Sequence, residues 1–245
     1  MNKYFPGIGR IEYKPDAGPE DTLVYRHYNA GETIHGRTME EWLKFSVCYF
    51  NTFRYYGSDD YYGDRTHQRQ WEDGSRSLDN YKRRMMAAFE FFHKLNIKYY
   101  SVSDRDMAPE GESLEETNRF LEEMVTMAAD LQKQTGIRPL YYSADLFTHP
   151  RYMNGSGSNP DAHVFAYACA QVERSMDAAK RLGARELRVL QSSRWLPERP
   201  PASVLPRYVS HGSVVPHGSP VQGEDWLPRT APDPTQAFRS SASPV

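Results

Sequence analysis

Short apolar runs and longer amphipathic stretches alternate along the first 190 residues of the chain. Compact apolar runs predict strands at residues 45–50, 98–102, 138–143 and 186–190. Helical spacing without internal Gly or Pro predicts helices at 79–95, 113–136 and 161–183. Ser113 and Glu116 have the spacing of a capping box, and Gly136 is a typical helix stop.

Strands that alternate with helices of this length favour βαβ units and a parallel sheet. Two architectures are open, a doubly wound sheet and a (β/α)8 barrel. No GxGxxG follows the first strand, so the sequence carries no dinucleotide signal. The loops after the strands are long and rich in Asp, Arg, Tyr and His, which is typical of the active-site rim of a barrel. About four units are predicted where a barrel has eight, so the expected fold is an α/β, incomplete (β/α)8 TIM barrel.

A change of composition divides the chain of 245 residues. Residues 1–190 contain seven prolines, whereas residues 191–245 contain ten, together with nine serines and no lysine. We therefore predict a partial barrel domain over 1–190 and a disordered C-terminal tail over 191–245.

Charge and cysteine content exclude several functional classes. The formal net charge is −2, which argues against partners that need a basic surface, such as nucleic acids or membranes. The two cysteines give no disulfide framework, and a reducing, cytoplasmic location is expected. No run is long and apolar enough for a membrane helix, and the first residues show no secretory signal.

Several long motifs occur in a defined order between about Tyr4 and Gly183. They read KYFPGIGRIEY, YRHYNAGETIHGRTMEEWLKFSVCYFNTF, SDRDMAPEGESLEETN and SADLFTHPRYMNGSGSNPDAHVFAYACAQV. Together these motifs resemble the xylose isomerases, in particular the longer-chain class with an N-terminal extension.

The resemblance implies a homotetramer of (β/α)8 barrels that interconverts D-xylose and D-xylulose, and often D-glucose and D-fructose. It also implies two divalent cations, Mg, Mn or Co, which act as Lewis acids on the pentose or hexose substrate. Ring opening in the family uses a His oriented by an Asp within an FHDxD pattern.

The catalytic part of this pattern is altered in the chain. Ser103 stands where the family has the His, and Asp106 matches the orienting Asp but has no imidazole to orient. The segment SVSDRD nevertheless makes Ser103 and Asp106 the candidate catalytic positions. Without the resemblance, Asp104 and Asp106 have a simpler interpretation as acids of a solvated loop after a strand.

The predicted substrate-binding positions differ from the family as well. Phe50 stands at a pocket Trp, Tyr62 at the Phe of a DPFG segment, Ser143 at a Thr and Asp145 at an Asn. The tyrosine-rich run around Tyr62 is open to two interpretations, a carbohydrate platform or a packed loop at a subunit interface. His149 and His163 are expected to be capping or surface groups.

The resemblance stops abruptly between Gly183 and Leu187. The family's metal ligands lie in later motifs that this sequence does not contain, so we expect no metal to be bound by this chain. Codons for part of the tail, read in a shifted frame, can encode a family-like helix, which suggests a one-base shift near codon 184.

Three functional hypotheses follow: a residual sugar isomerase, an inactive remnant of the family, and a non-catalytic partner of an intact isomerase subunit. The second best fits Ser103 and the missing half of the barrel. Because half a barrel leaves strand edges unpaired, we expect the isolated chain to be insoluble or molten.

Overall fold

A computed structural model describes residues 3–59, 63–64, 66–67 and 69–190 of the chain. The elements in chain order are β1 (Thr33–Ile34), β2 (Arg37–Thr38), α1 (Met39–Trp42), β3 (Ser46–Cys48), a π-helical turn (Phe50–Arg54), β4 (Ser58–Asp59), β5 (Gly63–Asp64), α2 (Leu78–Lys94), β6 (Tyr99–Ser103), α3 (Asp104–Met107), α4 (Leu114–Thr135), β7 (Arg138–Asp145), a 3-10 turn (Pro150–Tyr152), α5 (Ala162–Arg181) and β8 (Glu186–Leu190). The predicted disordered tail lies outside the described residues.

Four parallel strands form the central sheet, in the order β3-β6-β7-β8. The strands are adjacent in the same order as they occur along the chain. A doubly wound sheet reverses its strand order at a switch point, and the described sheet has no such reversal. The predicted α/β class is confirmed, and the sheet has the sequential strand order of a barrel segment.

The predicted elements agree with the structure to within a few residues, with two informative differences. The apolar run at 45–50 forms only the short strand β3, because the chain turns after Cys48 and enters the π-helical turn. Phe53 from this turn is fully buried, 5.5 Å from Trp71 and 5.7 Å from Phe92 between ring centroids. Aromatic packing therefore ends the strand early.

Strand β7 is longer than predicted and reaches Asp145. Its last residues pair with β8, with Ala144 opposite Val189 and Asp145 opposite Leu190. Pro139 near its start lies opposite Tyr100, where the β6–β7 register shifts. Because proline has no N–H, this irregularity is expected at that position.

Helix α4 begins and ends where its capping residues predict. The Ser113 hydroxyl accepts the Glu116 N–H at 3.1 Å, and Gly136 adopts a left-handed φ of 71° after the last turn. Only half of the predicted capping box forms, because the Glu116 carboxylate accepts the N–H of Glu112 instead.

The N-terminal segment is held on α2 by one buried carboxylate. Glu90 accepts the backbone N–H groups of Lys3 at 2.9 Å, Tyr4 at 3.1 Å and Phe5 at 2.9 Å. Burial raises the pKa of Glu90, but these donors outweigh it and hold the pKa below its ordinary value.

None of the described helices is long and apolar enough to cross a membrane.

Candidate functional site

The carboxyl ends of β3, β6 and β7 bring together most of the predicted site residues. Ser103 ends β6, and Ser143 lies directly opposite it on β7. The Ser143 hydroxyl donates to the Val102 carbonyl at 3.4 Å. Phe50 follows β3, with its side chain 42% exposed. Tyr62 lies outside the described residues.

Ser103 and Asp106 form two reciprocal hydrogen bonds across the start of α3. The Ser103 hydroxyl accepts the Asp106 N–H at 3.0 Å, and the Asp106 carboxylate accepts the Ser103 N–H at 3.0 Å. This is a reciprocal capping box on a helix of four residues. A sequence of the form Ser-x-x-Asp after a strand explains why the chain turns into a helix here.

Arg54 is the second partner of Asp106. Its guanidinium donates to the Asp106 carboxylate at 2.9 Å and lies 3.8 Å from the Asp145 carboxylate. It also lies over the Phe50 ring, 5.8 Å from the centroid. Burial opposes the charge of Arg54, but the neighbouring Asp106 outweighs it and raises the pKa of Arg54. The guanidinium thus joins the π-helical turn to the ends of β6 and β7.

Asp104 is the most deeply buried acid of the group, with 1% of its surface exposed. Its carboxylate accepts the Gln171 amide at 2.7 Å, the Asp145 N–H at 2.9 Å and the Arg105 N–H at 2.8 Å. The Ser175 hydroxyl lies 3.4 Å away. Burial raises the pKa of Asp104, although the charge of Arg105 and these donors act in the opposite direction.

Both acids of the SDRD segment are therefore buried, and their interpretation as solvated loop residues is wrong. Each is held by hydrogen bonds that replace water. His149 caps the 3-10 turn by accepting the Arg151 N–H at 3.0 Å, and His163 is exposed at the start of α5. The expectation for both histidines is confirmed.

Sequence reasoning did not identify Arg54, Gln171 or Ser175 as members of this group. A signal existed for two of them, because Gln171 and Ser175 share the buried stripe of α5 with Ala168 and Ala178. A polar residue on the core-facing stripe of a helix indicates a buried hydrogen-bond partner. Arg54 carries no comparable local signal.

The carboxylates at this edge do not fit a divalent cation. Asp104 and Asp106 already accept N–H donors, and Asp145 accepts the Thr148 hydroxyl at 2.7 Å and the Thr148 N–H at 3.0 Å. Within the described part of the chain, no group of three or more His, Cys, Asp or Glu could hold a metal ion. A cation here would have to displace Arg54 and several backbone donors.

Comparison with known proteins gives a consistent set of relatives, although no family model matches the chain. Curated proteins named xylose isomerase are 45% identical over 183 residues in Hordeum vulgare and 44% over 180 residues in Arabidopsis thaliana. The protein of that name from Thermoanaerobacterium saccharolyticum is 42% identical over 185 residues.

These alignments cover 74% of this chain and 37% of each plant protein, and 75% of the chain and 41% of the bacterial one. The chain therefore spans about two fifths of the length of the curated relatives it matches. Over about three quarters of its own length, the chain is therefore similar to the xylose isomerases, which is consistent with a truncated member of that family.

Proposed function

We propose that this chain is a non-catalytic member of the xylose isomerase family, which does not interconvert D-xylose and D-xylulose. The observation that carries the proposal is the closed hydrogen-bond set around Asp106. Its carboxylate accepts the Ser103 N–H at 3.0 Å and the Arg54 guanidinium at 2.9 Å. Both donors hold α3 and the π-helical turn in place, which is a structural role.

Sugar ring opening needs a group that exchanges a proton near neutral pH. Imidazole is the side chain suited to this exchange, and a serine hydroxyl is not. Ser103 stands at the position of the family's His, and its hydroxyl accepts the Asp106 N–H at 3.0 Å. Asp106 faces a guanidinium, which stays protonated and so cannot take up a proton from the sugar.

The described acids also support the absence of metal chemistry in this chain. In the family, two divalent cations supply Lewis-acid polarisation of the sugar oxygens. Here Asp104, Asp106 and Asp145 each accept donors from the protein, so they offer no free pair of oxygens. We therefore propose that the chain binds neither Mg, Mn nor Co at this edge.

A segment exchange tests the proposal independently of how much of a barrel this chain forms. The barley relative would carry SVSDRD in place of its own matching segment, together with Arg at the position that aligns with Arg54. Loss of general acid–base catalysis predicts a fall in kcat of about 10²–10⁴-fold.

The matched control is a barley enzyme that carries residues 130–135 of this chain in place of its own. These residues come from the C-terminal turns of α4, distant in sequence from the site. We expect the control to keep full activity. If the SVSDRD chimera isomerised D-xylose at the rate of the control, the proposal would be wrong.

A second candidate function is that of a partner for an intact isomerase subunit. In the described sheet, β3 and β8 each have a strand on one side only. Next to β3, the side chains of Trp42, Leu43 and Phe45 are 48%, 46% and 52% exposed. Open strand edges and adjacent apolar side chains favour association with another chain.

Co-expression of this chain with the full-length barley enzyme tests the second candidate. Association predicts that a tagged chain purifies with the barley enzyme in a fixed ratio. Substitution of Phe45→Ser should abolish the association, whereas Phe120→Ser on α4 should leave it intact. Equal recovery of both variants with the barley enzyme would contradict a specific interface at β3.

A further inference from the structure

A cavity of about 410 Å³ opens at the amino ends of β3 and β6, at the opposite end of the sheet from the candidate site. Its walls come from the N-terminal segment, from α1, and from the residues that begin β3 and precede β6. Sites for small molecules usually have volumes of ~300–1,000 Å³. The cavity therefore has room for a small molecule, and it shares no residue with the candidate site.

Five aromatic side chains line this cavity. Tyr28 is the central ring, and the rings of Tyr25 and Phe45 stand at 85° and 87° to it, with centroids 6.2 Å and 5.0 Å away. Tyr13 and Tyr99 complete the aromatic part of the lining. Rings at right angles present flat apolar surfaces on more than one side, which suits a ligand that is itself a ring with an apolar face.

The hydrogen bonds of the N-terminal segment hold two of these rings in place without a ligand. The Tyr25 hydroxyl donates to the Leu95 carbonyl at 2.6 Å. Tyr13 lies opposite Tyr25 in a short parallel bridge, in which the Lys14 N–H donates to the Tyr25 carbonyl and the Tyr25 N–H donates to the Glu12 carbonyl, both at 2.9 Å. A wall that is already ordered loses little conformational entropy when a ligand binds.

The same lining carries polar groups with unused hydrogen-bonding capacity. Within the described part of the chain, the hydroxyls of Tyr28 and Ser46 make no hydrogen bond, and Asn96 uses only its side-chain carbonyl, which accepts Arg10. Burial raises the pKa of Tyr28, and the negative charge of Glu40 acts in the same direction. The Tyr28 hydroxyl is therefore protonated at neutral pH and can both donate and accept.

The charges beside the cavity favour a neutral ligand. The Glu40 carboxylate accepts the Lys98 ammonium at 2.5 Å, so its charge is already compensated. The Lys44 ammonium donates to the Glu41 carbonyl at 2.8 Å and adds a positive charge to the lining. Aromatic cages attract organic cations through the electrostatics of their ring faces, and a nearby ammonium opposes that attraction.

We propose that this cavity binds a neutral, polyhydroxylated ring, that is, a pyranoside. One face of a pyranoside exposes C–H groups, whereas the hydroxyls around its edge donate and accept hydrogen bonds. Tyr25 and Phe45 pack on the C–H face, and Tyr28, Ser46 and Asn96 bond to the hydroxyls. The site uses neither Ser103 nor Asp106, so its failure would leave the proposed lack of isomerase activity unaffected.

Titration of the full chain with methyl β-D-glucopyranoside, followed by NMR, tests the proposal. This glycoside cannot open its ring, so it is no substrate for an aldose isomerase and reports binding alone. A ligand of this size that binds with ordinary efficiency has a Kd of about 1 mM. We expect saturable binding that shifts the ring signals of Tyr28.

Two variants and a matched control locate the binding site. Tyr28→Phe keeps the ring and removes only the hydroxyl, and it should weaken glycoside binding about 3–10-fold. Tyr13→Ala removes an exposed wall of the cavity and should weaken binding several-fold. The control is Phe165→Ala, which removes an exposed ring on α5, outside the cavity, and should bind the glycoside as the parent chain does. If Tyr13→Ala fails to fold, the conservative Tyr28→Phe variant decides the question.

Tetramethylammonium serves as the second probe. Saturable binding of this cation, without binding of the glycoside, would identify an aromatic cation cage and overturn the proposal. So would a glycoside titration that shows no saturation at about ten times the expected Kd. Equal affinity of the Tyr28, Tyr13 and Phe165 variants for the glycoside would place any binding outside this cavity, which also contradicts the proposal.

Discussion

Gln171→Leu is the substitution with the largest expected effect on the candidate site. The Gln171 amide is buried on α5 and donates to the Asp104 carboxylate at 2.7 Å and to the Asp145 carbonyl at 2.9 Å. Its carbonyl accepts the Tyr152 hydroxyl at 2.7 Å. Leucine has a similar volume but can make none of these three hydrogen bonds.

The magnitude follows from the groups that lose their partners. A hydrogen bond to a charged group contributes ~1.5–3 kcal/mol, and each neutral one contributes ~0.5–1.5 kcal/mol. The summed loss for Gln171→Leu is about 2.5–6 kcal/mol, a large part of a typical unfolding free energy of ~5–15 kcal/mol.

Urea unfolding followed by circular dichroism measures this effect. Gln134→Leu is the matched control, because Gln134 is exposed on α4 and its substitution should change stability by less than ~0.5 kcal/mol. A difference of less than ~1 kcal/mol between the two variants would refute the reasoning, because the three bonds at Gln171 would then be energetically unimportant.

The pH dependence of the same variant gives a second check. The pKa of Asp104 is raised in the folded state. The stability that Asp104 contributes is therefore fully present when the pH is below the Asp104 pKa of the unfolded chain. It is lost as the pH rises through the Asp104 pKa of the folded chain. The Gln171 amide reduces this loss by stabilising the ionised form. The destabilisation of Gln171→Leu should therefore be largest at neutral pH and should shrink as the solution is acidified.

Three further predictions concern other parts of the structure. Arg54→Met leaves the buried Asp106 without its cation, and urea unfolding should show a loss of about 1–3 kcal/mol that Arg54→Lys only partly restores. Glu90→Gln weakens the attachment of residues 3–5, so limited proteolysis should cut the N-terminal segment faster. Because the pKa of Glu90 is lowered in the folded state, the parent chain should lose the same attachment as the pH falls through that pKa. Gly136→Ala forces a side chain into a φ of 71°, and thermal unfolding should show a loss of about 1 kcal/mol, with no such loss for Gly9→Ala, whose position is open.

Much of the fold could be predicted from local sequence pattern. The four strands, the three long helices, the Ser113 cap and the Gly136 stop all follow from short-range spacing and turn chemistry. The resemblance to xylose isomerases could be recognised on motifs alone, and it placed Ser103 and Asp106 at the end of a strand. The shifted reading frame and the disordered tail stay predictions, because they concern residues outside those described.

The composition of the site required the tertiary structure. Arg54 and Asp106 are separated by 52 residues, and Asp104 and Gln171 by 67 residues, so no local pattern pairs them. Likewise, the sequence cannot show that Gln171 and Ser175 both meet the Asp104 carboxylate, since this depends on where α5 packs. Local interactions determine where strands and helices begin and end, whereas long-range packing determines which charges meet, and hence which hydrogen-bond partners the side chains at the sheet edge have.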